Sequence, residues 1–127
     1  HEALSTVLAA PDSYAVTLAS TGEIVGSIAL RIDTDSPEAT VADIGYWIGA
    51  PYWGNGYATE AGHAIIERAR ELGVKTIILT YFDGNEASRR VSEKLGFTWQ
   101  SRDEDVEYPL IGQRLTVHRT ELALTAR

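Results

Sequence analysis

Gly45-Tyr46-Trp47-Ile48-Gly49-Ala50-Pro51-Tyr52-Trp53-Gly54-Asn55-Gly56-Tyr57-Ala58-Thr59-Glu60-Ala61 is the stretch that decides the fold. An apolar strand-like run stops at Ala50-Pro51, a Gly-Asn-Gly turn follows, and an amphipathic helix pattern begins at once. A strand that feeds a glycine turn and then a helix N-terminus builds an anion site. Small residues let the backbone approach a ligand, and the amides of the first helical turn present the positive end of the dipole to it. The residues point to a phosphate-bearing ligand. The same glycines, taken alone, also make a plain strand-to-helix turn.

Outward from this point the pattern alternates. Downstream, Ala58, Gly62, Ile65, Ala69 and Leu72 recur at helical spacing, Glu60, His63, Glu67 and Arg70 face elsewhere, and Gly73 suits the position after the helix end. Residues 74–82 are β-branched and nearly continuously apolar, which predicts a central strand covered on both faces. Asn85 can cap a second helix over 86–95, with Ala87, Val91 and Leu95 inward and Gly96 at its end. Residues 97–100 and 115–124 read as strands joined by an acidic loop over 102–112.

Upstream, residues 41–49 form a strand whose interior Gly45 marks a bulge or the close approach of a ligand. Residues 14–19 and 24–32 pair as a hairpin around a turn at 20–23, and a polar stretch over 33–40 with Pro37 is an exposed loop. Residues 2–10 have helix-forming composition, ended by Pro11-Asp12. The order is ββ–β–α–β–α–ββ, an α/β fold (an α+β mixed sheet) over one domain, 1–127.

Composition bounds the chemistry. With no cysteine among 127 residues, disulfides, thiolate metal sites and a cysteine nucleophile are excluded. A net charge of −7 argues against nucleic acid as the main partner and favours cationic ones such as amines, although excess acid also merely confers solubility. No apolar run approaches the roughly 20 residues of a membrane span and no signal peptide is evident, so a cytoplasmic enzyme or binding domain is the expectation. The chain opens at His1 and lacks Met, as though an N-terminal segment were missing. His63 and His118 have no second ligand at metal spacing, so no metal is expected.

These residues resemble the GNAT superfamily of acetyl-CoA-dependent N-acetyltransferases, over nearly the whole chain from Tyr14 to Leu124. The family's pyrophosphate signature is Arg or Gln, two residues, Gly, one residue, then Gly or Ala. It falls here on Trp53-Gly54-Asn55-Gly56-Tyr57-Ala58, with Trp53 departing from the usual Arg or Gln. The run Trp-Gly-x-Gly-Tyr-Ala-x-Glu-Ala looks like the ribosomal-protein-alanine N-acetyltransferase branch. So do Ile44-Gly45-Tyr46-Trp47-Ile48 before it, and Asn85-x-x-Ser88 with Lys94-Leu95-Gly96-Phe97 after it. Three such blocks in order are far more specific than one glycine pair.

The resemblance implies an acyl-CoA N-acyltransferase fold whose N-terminal strand and two helices, walls of the acceptor pocket, are largely missing. Either the chain is truncated or a second subunit, in a homodimer, supplies that wall. It further implies that amides from Asn55 to Thr59 hold the diphosphate of coenzyme A. Main-chain groups of Tyr46, Trp47 and Ile48 would pair with its pantetheine arm and polarise the thioester carbonyl. Asn85 contacts the cofactor as well as capping its helix. The usual Tyr acid is absent, Ser92 standing at its position. The resemblance to the alanine N-acetyltransferase branch makes Ser88 the proposed acid toward the leaving thiolate, unless it is an ordinary polar residue at the helix boundary. Glu107, paired with Tyr108, is the proposed base, with burial raising its pKa. Asp43 competes with it, and the acidic cluster around Glu107 also reads as a solvated charge run. Arg89 or Arg90 pairs with a cofactor phosphate, unless the pair only forms intrahelical bridges.

Acetyl transfer from acetyl-CoA to a primary amine (a protein N-terminus, a polyamine or an aminoglycoside-like amine) is the expected activity. Direct attack is expected because no Cys exists to form an acetyl-enzyme. The rival expectation is a non-catalytic acyl-CoA sensor or partner subunit with the same fold.

Overall fold

The computed structural model describes residues 4–10, 13–33 and 40–124. The readings at Pro11-Asp12 and over most of the Pro37 loop lie outside the described residues. Seven strands form one sheet in the order β1-β2-β3-β4-β5-β7-β6. Their ranges are β1 Leu4–Ala10, β2 Ser13–Leu18, β3 Ile24–Ile32, β4 Val41–Ile48, β5 Thr76–Phe82, β6 Thr98–Tyr108 and β7 Gln113–Ala123. Helix α1, Tyr57–Glu71, connects β4 to β5, and helix α2, Glu86–Lys94, follows β5. Among the described strands only β4 and β5 run parallel, as their α1 crossover requires.

Alternation along the central strands puts Ala42, Ile44, Tyr46 and Ile48 of β4 on one face with Ile28 and Leu30 of β3 and Ile77 and Leu79 of β5. Tyr46 apart, these are buried. α1 covers them with Ala61, Ile65, Ile66 and Ala69. At Gly62 the helix meets α2 so closely that a Cβ would lie 2.6 Å from Leu95 Cδ1. The opposite face shows the cross-strand pair Arg31–Asp43, at 2.6 Å, with Trp47 and Phe82 exposed.

Several expectations are corrected. Residues 4–10 are a strand, not helical turns. Antiparallel pairing with β2, from Leu4↔Leu18 to Ala10↔Ser13, overrides their helix propensity. The acidic stretch expected as a loop is mostly strand: β6 runs to Tyr108, and only a short turn joins it to β7. Two register shifts break that ladder, one spanning Asp105, which adopts φ +54. β5 is covered on one face only. Ile77 and Leu79 are buried, whereas Thr80 and Phe82 are exposed. Leu72 is exposed rather than inward. Ala87 is exposed too, and Ser92 and Leu95 make the buried side of α2. Gly45 carries no register shift, because β3 and β4 pair without a break from Gly26↔Ile48 to Ile32↔Ala42.

Candidate functional site

The parallel pair β4–β5 is short. Only Val41, Ala42 and Asp43 pair with Thr76, Ile77 and Ile78. Beyond Asp43, β4 keeps to β3 and β5 keeps to β7, so the two strands part company. A cavity of about 650 Å³ opens beyond this fork, lined by the end of β4, the turn that follows, the first turn of α1 and one side of α2. That volume falls within the range of small-molecule sites.

The turn is shaped by two glycines. Gly54 and Gly56 sit at φ +82 and +74, and a Cβ on either would meet nothing within 4 Å. Backbone conformation, not crowding, demands glycine here. Gly56 is the N-cap of α1 without any side-chain cap, and the first helical bond is donated by Glu60 to its carbonyl. Ala58 and Thr59, ahead of that bond, line the cavity, so the helix start is turned toward it.

The predicted cofactor residues Tyr46, Trp47, Ile48, Trp53, Gly54, Gly56, Tyr57, Ala58, Thr59, Asn85 and Ser88 all line this one cavity. Trp53, where the family carries Arg or Gln, donates its indole N–H to the Ile48 carbonyl at 2.7 Å and pins the end of β4 to the turn. Asn55 braces the turn from behind, donating to the Tyr52 and Trp53 carbonyls, and is not part of the lining. Asn85 caps α2, accepting from the Ser88 amide at 3.1 Å.

Arg89 is turned away. Its guanidinium is held by Glu86 and Glu93 at 2.7 and 2.5 Å. Arg90 and Lys94, one turn apart, line the cavity instead. Sequence reasoning missed Lys94, Tyr52, Ala87 and Val91 as lining residues. Their signal is the i, i+3, i+4, i+7 set Ala87, Arg90, Val91, Lys94, a cavity wall rather than a core stripe.

Ser88 and Tyr46 meet inside the cavity, with Oγ and the phenol oxygen 2.7 Å apart. Burial raises the Tyr46 phenol above its ordinary range, and the bond to Ser88 counters this less strongly. The Glu23 carboxylate beside Tyr52 raises that phenol as well. Ser92 is buried, its hydroxyl donating to the Arg89 carbonyl at 2.7 Å.

The two candidate bases stand elsewhere. Glu107 lies outside the cavity lining on β6, its side chain 66% exposed and 3.8 Å from Arg114, so the expected burial is not found. Its neighbour Tyr108 packs edge-on against Phe82 at the end of β5, which ties the β6–β7 ribbon to the strand leading into α2. Asp43 sits at the fork, on the face away from the helices and held by Arg31. His63 is exposed on α1, while His118 bonds Asp83 and Trp99. Among the described residues no cluster of three acids or histidines is suited to a metal, and no helix is long and apolar enough to cross a membrane.

Comparison with known proteins bears on the fold and the family. YycN of Bacillus subtilis, an uncharacterised N-acetyltransferase, is 34% identical over 77 residues, 59% of this chain and 48% of that protein. The chain spans under half the length of the curated relatives it matches. Among solved structures, ribosomal-protein-S5-alanine acetyltransferase from Vibrio fischeri superposes with a TM-score of 0.78 at 21% identity, covering 87% of this chain and 60% of that one. The microcin C7 self-immunity acetyltransferase MccE, solved with acetyl-CoA and AMP, gives 0.76 at 23%, covering 88% and 60%. The acetyltransferase (GNAT) domain family matches residues 2–98, and the chain belongs to that family.

Proposed function

We propose that the chain is an N-acetyltransferase domain that moves acetyl from acetyl-CoA to a primary amine by direct attack. The observation that carries this reading is the fork between β4 and β5, which opens onto a glycine turn and an uncapped helix start. The residues suit coenzyme A chemically. The turn and the α1 amides face a diphosphate, Arg90 and Lys94 add positive charge, and the fork leaves the edge of β4 open to an extended arm.

The thioester supplies an acyl carbon that an uncharged amine attacks. Within that setting, backbone amides at the end of β4 orient the carbonyl, and Ser88 donates a hydrogen bond toward the departing sulfur. Glu107 takes a proton from the incoming ammonium. Because Glu107 stands on the ribbon outside the cavity, the acceptor approaches from that side. A protein N-terminus, a polyamine and an aminoglycoside-like amine all meet these needs.

The test is release of free coenzyme A from acetyl-CoA across a panel of such amines. Turnover above the hydrolytic background is expected, and its absence from the whole panel overturns the reading. Glu107→Gln separates the base from the rest. Its kcat is expected to fall about a hundredfold with coenzyme A affinity unchanged. An unchanged kcat removes Glu107 from the mechanism. One observation favours a non-catalytic acyl-CoA sensor: among the described residues no Asp, Glu or His lines the cavity. Tight coenzyme A binding without turnover on any amine selects that reading.

A further inference from the structure

The two helix serines one turn apart, Ser88 and Ser92, have opposite fates. The Ser92 hydroxyl is buried and bonded to its own helix. Ser88 lines the cavity, and its hydroxyl has one hydrogen-bond partner among the described residues, the Tyr46 phenol 2.7 Å away. That bond joins β4 to α2 across 42 positions of sequence. It spans the two walls of the cavity, at the point where β4 has already left β5.

Either oxygen can donate in such a pair, but the alternatives differ chemically. A phenol is a much stronger acid than an aliphatic hydroxyl, so the favoured direction has Tyr46 donating and Ser88 accepting. A serine oxygen that accepts keeps its own hydrogen for a second bond, and chained hydrogen bonds strengthen one another. On Ser88 that remaining hydrogen has the cavity before it.

We propose that Tyr46 is a positioning residue, which fixes the Ser88 hydroxyl as a donor into the cavity, aimed at the sulfur that leaves. The assignment rests on the acetyl-transfer reading above and adds to it a residue whose side chain that reading did not use. As the C–N bond forms and the C–S bond breaks, sulfur departs with the electron pair and accepts the Ser88 hydrogen bond. The proton released as the amine nitrogen becomes an amide passes to water, Glu107 already holding the one taken from the ammonium, and the thiolate takes its proton from water. Tyr46 and Ser88 keep theirs throughout. Burial supports this arrangement, because it keeps the phenol protonated across the working range.

A double-mutant cycle on the chain decides the matter, with acetyl-CoA and whichever amine the panel identifies. Tyr46→Phe keeps the ring and removes the donor. Its kcat is expected to fall about tenfold, with KM and the calorimetric coenzyme A affinity within twofold of wild type. In a Ser88→Ala background the same change is expected to cost nothing more, since its effect runs through Ser88. Additive losses, or an unchanged kcat in Tyr46→Phe, overturn the assignment.

Should Tyr46→Phe lose coenzyme A binding through misfolding, 3-fluorotyrosine at position 46 replaces it. A more acidic phenol that donates is expected to hold or raise kcat, and a lowered kcat overturns the assignment. Absence of turnover in the wild-type chain is a different result, since it removes the acetyl-transfer reading itself.

Discussion

The corner formed by the end of β4, the glycine turn, α1 and α2 differs in kind from the β6–β7 ribbon. The corner is held by local devices: two left-handed glycines, an Asn cap and an indole bonded to a carbonyl five residues back. The ribbon is held by pairing between segments, with two register shifts and many exposed charges. A ligand cradle needs backbone placed to a fraction of an ångström, and short-range constraints supply that. A ribbon that serves acceptors of varied shape, as proposed above, has no such need. The difference fits the proposed division of labour, with coenzyme A at the corner and the acceptor on the ribbon side.

The largest expected effect tests the corner. Gly56 sits at φ +74, where a β-branched residue is strongly disfavoured, and nothing crowds its missing side chain. Gly56→Val is expected to weaken coenzyme A binding more than about a hundredfold, near 3 kcal/mol, while far-UV circular dichroism stays close to wild type. Wild-type affinity by calorimetry in that variant breaks the comparison at its root.

A smaller effect distinguishes two adjacent arginines. Arg90 lines the cavity and Arg89 is engaged by two glutamates on its own helix. Arg90→Ala is expected to weaken coenzyme A binding about tenfold at low salt, and less as salt rises. Arg89→Ala is expected to leave it within about twofold, as for an exposed helix pair. The reverse order would place the phosphates on the other side of α2.

The same division explains what the residues disclosed beforehand. Gly54, Gly56, Asn85 and Gly96 are legible because each answers a local backbone requirement, and the structure shows those conformations. The strand 24–32 is legible from apolar patterning between turn residues. β1 is not, because Leu and Ala suit helices and only its neighbour β2 makes it a strand. Residues 102–108 are not either. Edge strands carry charge to deter further pairing, so the acidic run that reads as a loop is the ordinary dress of an edge. The exchange of Arg89 for Arg90 has a subtler origin. The stripe Ala87, Val91, Leu95 reads as inward, and Leu95 is buried and Val91 packs against the core, but Ala87 is exposed and the cavity runs along Ala87 and Val91. Periodicity gives the spacing of a helix face, not what lies opposite it.

The smallest effect sits on the seam between corner and ribbon. Trp99 of β6 donates its indole N–H to His118 Nδ1 at 2.9 Å. An indole can only donate, so Nδ1 accepts, and the neutral ring carries its hydrogen on Nε2. That nitrogen donates to Asp83 Oδ1 at 2.8 Å, two residues before the cap of α2. The bond from His118 lowers the Asp83 carboxyl below its ordinary value, with Arg102 adding a weaker pull. The folded state therefore favours the carboxylate more than the unfolded chain does. The resulting stability is present above the ordinary Asp value near about 3.9 and is lost as pH falls through the lower folded value. Asp83→Asn is expected to flatten the fall in melting temperature on acidification from about pH 5 to 3, by a small amount because the side chain is half exposed. Coenzyme A affinity at neutral pH is expected to stay as it was, because the cap at Asn85 does not depend on Asp83. A matching loss of that affinity shows the ribbon holding the corner in place through this seam, and then the two regions act as one site.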